Sequence, residues 1–189
     1  RFFISILVFI FVITVLINLF SPNSNADISD LLFQSISIIT TTGFSVGDTS
    51  GWAPSIGFLL LIGAFIGACS GSVGGGVKSW RVLIMINYAY ITLKKMVHPN
   101  AVISLKIGSK SVDDTVASSV WGFFSIYVIS FIILLLGLLI TGLDFESAFS
   151  AIGACLNNLG PGLGEVSNNY QSVTPVGKII LSFAMILGR

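Results

Sequence analysis

Four long apolar runs and two short ones divide the sequence. Phe2 to Phe20 is almost uninterrupted, and as a helix it is long enough to cross the roughly 30 Å of a bilayer's hydrocarbon core. A second run, Trp52 to about Tyr90, is broken midway by Gly and Ser. Val116 to Ile140 is a third, and Pro175 to Leu187 begins a fourth that runs into the last residue, Arg189. Between them lie Ile28 to Phe44 and Phe145 to Pro161, each too short to span and each entering a Gly-containing turn. Irregular backbone at membrane depth is tolerated only where protein encloses it or water reaches it. The two short runs therefore predict re-entrant helices, each leading into a loop, within an all-α membrane protein. The first residue is Arg1 rather than Met, and the final run has the pattern of a helix still in progress. We expect a piece of a longer polypeptide.

Composition agrees with a bilayer as solvent. The chain is 54% hydrophobic and 9% charged, where soluble domains carry about 25% charge, so membrane lipid is an expected partner. A net charge of +1 offers no basic field for phosphate, which argues against nucleic acid. Cys69 and Cys155 lie in apolar or Gly-rich stretches and suggest no disulfide framework.

Charge placement orients the runs. Six of the nine basic residues, Lys78, Arg81, Lys94, Lys95, Lys106 and Lys110, fall in one region. Six of the eight acidic residues, Asp27, Asp30, Asp48, Asp144, Glu146 and Glu165, fall in the other two polar regions. Basic loops stay on the cytoplasmic side, which puts Arg1 and the Lys94 to Lys110 loop inside. Both re-entrant stretches then open outward, and the alternation of spans closes without contradiction.

A shift of 117 residues superimposes the halves: Asp27 falls on Asp144, Gly43 on Gly160, Gly47 on Gly164 and Asp48 on Glu165. The unit is span, re-entrant helix, Gly loop, span. It occurs twice in the same orientation, which implies a rotation axis along the membrane normal and a pore on that axis. We expect one pore repeat over 1–90, a cytoplasmic linker over 91–115, and a second repeat over 116–189, truncated in its inner helix.

Two stretches fit an ion filter. Thr40-Thr41-Thr42-Gly43-Phe44 follows an apolar run able to form a short helix, and its counterpart is Asn157-Asn158-Leu159-Gly160-Pro161-Gly162-Leu163-Gly164. Potassium filters replace the ion's water with backbone carbonyls on such loops. Carbonyls turned toward one axis need glycine's conformational range, and Thr adds a hydroxyl at the inner end. The plainer alternative is a pair of ordinary helix-ending turns.

A third stretch, Gly67-Ala68-Cys69-Ser70-Gly71-Ser72-Val73-Gly74-Gly75-Gly76-Val77-Lys78, interrupts the second run. Three adjacent glycines cost about 1 kcal/mol each relative to Ala in a helix, so the helix is expected to open there, beside the pore, as a gate. The alternative is close helix packing through Gly63, Gly67 and Gly71. Gly71-x4-Gly76-Val77-Lys78-Ser79 misses the phosphate-loop pattern by one residue and has no preceding strand. Lys78 and Arg81 are expected as anchors at the inner interface. Arg189 is expected at membrane depth facing a cavity, or else at the interface. His98 is expected on a solvated loop. No catalytic triad, paired catalytic carboxylates or metal cluster can be assembled, so no enzyme is expected. The competing function is a membrane scaffold without transport.

Together these motifs resemble the Trk/Ktr/HKT superfamily of potassium transporters, most closely its bacterial TrkH-type subunits. The likeness rests on Thr41 to Phe44, Gly71 to Lys78, His98-Pro99-Asn100-Ala101-Val102, Val120-Trp121-Gly122-Phe123-Phe124 and Cys155 to Gly162. Members carry four helix–pore-loop–helix repeats around one pseudo-fourfold pore, and this chain looks like the third and fourth. The resemblance implies filter strands at Thr41, Thr42, Gly43 and Phe44 and at Asn158, Leu159, Gly160 and Pro161, with Gly43 and Gly160 as the glycines that coordinate K⁺. It implies a gating loop at Gly71 to Val77, with Gly71, Ser72, Gly74, Gly75 and Gly76 in it, and Arg189 as a basic residue below the filter. K⁺ would be the transported ion, with no prosthetic group. The bacterial inner membrane, a homodimer and a cytoplasmic nucleotide-binding, TrkA-like regulatory subunit are implied too. Half a filter does not close a pore, so the missing repeats or a second copy would be needed.

Overall fold

The computed structural model describes residues 2–21, 26–45, 52–69, 71–72, 74–98, 106–107, 110–167 and 169–189. Gly47, Asp48, Ser70, Val73 and Pro99 to Val102 of the readings above lie outside them. Among the described residues seven α-helices run in order: α1 (Phe2–Phe20), α2 (Ile28–Ile39), α3 (Pro54–Ile66), α4 (Ser79–Val97), α5 (Asp114–Ile140), α6 (Phe145–Leu156) and α7 (Pro175–Leu187). A two-stranded antiparallel hairpin, β1 (Lys106–Ile107) and β2 (Lys110–Ser111), lies between α4 and α5. It is the one departure from an all-α description among the described residues.

Among the described residues, only α1 and α5 are both long and apolar enough to cross a membrane alone. Their surfaces suit lipid: Phe9, Leu19 and Phe20 on α1 and Ile126, Ile133 and Ile140 on α5 stand exposed. The apolar run after Trp52 is two helices rather than one. Pro54 starts α3 at a position where its missing N–H costs nothing, and α3 stops at Ile66 before the glycine stretch. Helix α4 continues past Tyr90 to Val97, so the start of the expected 91–115 linker is helical. Leu93, Lys94, Lys95 and Met96 are good helix formers, and the two lysines in the last turn complement its negative end.

The helices pack in two triplets. Helices α1, α2 and α3 pack on one another, as do α5, α6 and α7. Each triplet has its own core, with Leu31, Ile39, Ile56 and Leu60 in the first and Leu138, Ile152, Leu156 and Leu181 in the second. The two meet where α3 packs on α6. There Phe149 of α6 touches four rings, with centroids 6.2 Å from Phe58, 6.2 Å from Phe65, 5.2 Å from Phe131 and 5.8 Å from Phe145. Lipid tails are as apolar as these rings, so close packing rather than water exclusion holds such a seam. Gly63 contributes to packing as the small-residue reading expected: a Cβ there would press on Ile10 and Ile39. Gly71 does not, since a Cβ there would meet nothing within 4 Å.

Candidate functional site

Helices α2 and α6 end in the same way. Thr41 N–H donates to the Ile38 carbonyl at 3.0 Å and Thr42 N–H to the Ser37 carbonyl at 2.8 Å. In the second repeat Asn158 N–H donates to Cys155 at 3.1 Å and Leu159 N–H to Ala154 at 2.8 Å. Each of these donors and acceptors is related to its counterpart by the 117-residue shift. The pattern is a Schellman cap, whose turn residue takes a left-handed conformation. Here that residue is not glycine but Thr41 (φ 55) and Asn158 (φ 52), an uncommon conformation for side-chain-bearing residues. Gly43 (φ 82) and Gly160 (φ 105) follow, again at matching positions. The negative ends of two short helix dipoles thus lead into two glycine strands, a field that favours a cation.

The strands touch. A Cβ built at Gly43 would overlap the Leu159 carbonyl oxygen, so glycine is required there both by its positive φ and by the approach of the second strand. Serines hold the strands to their helices. Ser37 Oγ donates to the Phe44 carbonyl at 2.6 Å. Ser150 Oγ accepts from Leu163 N–H at 2.9 Å, and Ser147 Oγ accepts from Glu165 N–H at 3.0 Å. Thr41 Oγ1 is buried without a hydrogen-bond partner among the described residues.

The glycine loop between α3 and α4 packs against the start of both strands. Gly74 leaves no room for a Cβ beside Thr41 Oγ1 and Ala68, and a Cβ at Gly75 would overlap the Asn157 carbonyl. Gly188, just beyond α7, abuts the Leu156 carbonyl in the same way. A cavity of about 430 Å³ is lined by Gly74, Gly75, Gly76, Tyr127, Asn158 and Arg189, among others. Arg189 therefore shares a cavity with the loop, as expected. Among the described residues, though, its guanidinium makes no hydrogen bond to the loop's carbonyls. Lys78 does: its Nζ folds back to the Ser72 carbonyl at 3.3 Å. Ser72 Oγ in turn accepts from Gly74 N–H at 3.3 Å. Arg81 stacks its guanidinium 4.1 Å from the centre of the Phe123 ring. Both side chains thus have partners within the protein.

Asn157 is fully buried at the junction of these parts. Its Nδ2 donates to the Gly153 carbonyl at 2.8 Å, and its Oδ1 accepts from Tyr127 Oη of α5 at 2.8 Å. The sequence reading did not single out Tyr127, because nothing local links it to a residue 30 positions away. The Tyr127→Phe variant should lose about 1 kcal/mol of stability, read as a lower thermal unfolding midpoint in detergent. An unchanged midpoint would show that Asn157 is held without it.

Known proteins share the sequence and the overall fold. The sequence profile of the TrkH family, described as cation transport proteins, matches residues 2–189. The chain is 48% identical over 158 residues to the Trk system potassium uptake protein TrkH of Halomonas elongata, covering 84% of this chain and 33% of that protein. It is 43% identical over 188 residues to TrkH of Vibrio parahaemolyticus, covering 99% of this chain and 39% of that one. The crystal structure of the potassium transporter TrkH from Vibrio parahaemolyticus superimposes with a TM-score of 0.91 at 41% identity, covering 100% of this chain and 41% of the solved one. The chain thus spans about a third to two fifths of the length of these relatives. From a profile match over nearly every residue and a shared fold, the chain belongs to the TrkH family of cation transport proteins.

Proposed function

We propose that this chain forms half of a potassium-selective pore in a bacterial membrane transporter. The reading takes 1–90 and 116–189 as two pore repeats joined by a cytoplasmic linker. In it the backbone at Thr41 to Phe44 and at Asn158 to Pro161 replaces the water around K⁺. The observation that carries it is the paired cap: two short helices ending in the same hydrogen bonds, with the same left-handed residue and the same glycine, and with their strands in contact. A helix-ending turn alone requires none of that matching. The partnerless Thr41 hydroxyl supplies one more oxygen at the inner end. Relatives named as potassium uptake proteins support K⁺ as the ion.

In the same reading Gly74 to Gly76 close the path beneath the strands, and Lys78 and Arg189 place positive charge beside it. A cation meeting fixed positive charge faces a higher barrier. A cytoplasmic regulatory subunit would act by moving this loop, and the remaining repeats would complete the ring.

Reconstituting the complete protein in liposomes tests the proposal. Potassium should cross faster than sodium, and inside-out K⁺ and Na⁺ gradients should give a reversal potential near that of K⁺. Correctly inserted protein that passes neither ion would favour a scaffold.

A further inference from the structure

Tyr170 follows Gly160 by ten positions, in the loop leading to α7. Its ring packs against the second core, which contains Cys155, Val166 and Leu181. From there Oη donates to the Gly160 carbonyl at 2.7 Å. Burial pushes the phenol well above its ordinary range, so the hydroxyl keeps its proton and remains a donor throughout physiological pH.

A carbonyl oxygen has two acceptor positions. Tyr170 approaches from the core side and occupies one of them. Gly160 itself is exposed, and among the described residues Tyr170 is the one side-chain donor to its carbonyl. The matching glycine is held differently. Among the described residues no side chain donates to the Gly43 carbonyl, and the 117-residue shift pairs Tyr170 with Ala53, which has no donor. Gly43 has the Leu159 backbone close beside it, whereas the Gly160 carbonyl accepts a side-chain hydrogen bond.

We propose that Tyr170 is a positioning residue for ion discrimination: its hydroxyl sets the orientation and strength of the Gly160 carbonyl facing the ion. The inference rests on reading the two strands as a filter. Sodium is smaller than potassium and needs oxygens that swing inward and present a stronger field. A carbonyl whose second acceptor position is held by a fixed donor resists the swing. The same donor draws electron density from the oxygen and weakens its field. Both effects disfavour sodium, and both vanish with one oxygen atom.

The test uses the complete protein in liposomes, with the permeability ratio of K⁺ to Na⁺ measured per inserted molecule. The loss of one hydrogen bond in Tyr170→Phe should lower the ratio by about twofold to tenfold. Tyr170→Leu should lower it equally and also reduce thermal stability, because the ring's packing is lost as well. A wild-type ratio in Tyr170→Phe, with a loss only in Tyr170→Leu, would leave the ring as mere packing and overturn the proposal. Ring-fluorinated tyrosine at position 170 keeps the shape and strengthens the donor. It should raise the ratio, and an unchanged ratio counts against the proposal even where the Phe variant inserts poorly. Gly43→Ser measured alongside separates the two levels of inference. A ratio lowered by Gly43→Ser but not by Tyr170→Phe removes Tyr170 alone, and a ratio lowered by neither removes the filter reading itself.

Discussion

Gly43→Ser in the complete protein is expected to lower the K⁺ to Na⁺ permeability ratio by about tenfold or more. Two independent costs fall on the same atom. A residue with a Cβ pays roughly 1–2 kcal/mol to hold a left-handed backbone, and Gly43 sits at φ 82. The Cβ would also overlap the Leu159 carbonyl oxygen of the second strand. The backbone relieves both by rotating the peptide, which turns a carbonyl away from its present direction and pushes on its neighbour. Each 1.4 kcal/mol of altered preference between ions is a factor of ten. Reversal potentials under bi-ionic conditions measure the ratio directly. A mutant that inserts normally and keeps the wild-type ratio would remove Gly43 from the conducting path.

Deleting Gly74 to Gly76 is the second large effect. These residues fit against Thr41 and Asn157 so closely that no side chain is admitted at Gly74 or Gly75. Removing them withdraws the loop from the start of both strands. The proposed closed state then loses its plug. If those contacts favour closure by about 1.4 kcal/mol, basal K⁺ flux per inserted molecule should rise about tenfold, and its dependence on a regulatory partner should shrink. Flux at the wild-type level, still fully responsive to regulation, would leave the stretch a packing element. The structure also bears on Arg189. It lines the cavity beside the loop, but the loop's observed charged contact is Lys78 on the Ser72 carbonyl. Arg189 therefore acts, in this account, through its field on the ion rather than through hydrogen bonds to the loop.

Elements were legible in the sequence wherever one property decides them. An unbroken apolar run gives α1 and α5. The glycine break gives the end of α3, while its start at Pro54 falls two residues inside the apolar run read from Trp52. The 117-residue shift gives matched positions at Gly43 and Gly160, because a left-handed backbone restricts the residue type strongly enough to leave a trace. The caps at Thr41 and Asn158 left a weaker trace, since both residues accept that conformation only under the constraint of packing. What the sequence did not reveal are bonds between residues far apart in the chain. Tyr127 to Asn157, Tyr170 to Gly160 and Lys78 to Ser72 each depend on how a side chain is aimed after the helices have packed. No local pattern encodes that direction. A buried tyrosine in a membrane protein does need a partner for its hydroxyl. The rule requires such a bond in general and names no acceptor.

The central claim is that Gly43 and Gly160 belong to one ion-binding ring. Crystals of the complete protein soaked in Rb⁺ or Tl⁺ test it most directly, through the anomalous scattering of the bound ion. A peak is expected between the strands Thr41 to Phe44 and Asn158 to Pro161, within coordination distance of their carbonyls and displaced by excess K⁺. Density only elsewhere, with both strands well ordered and empty, would contradict it.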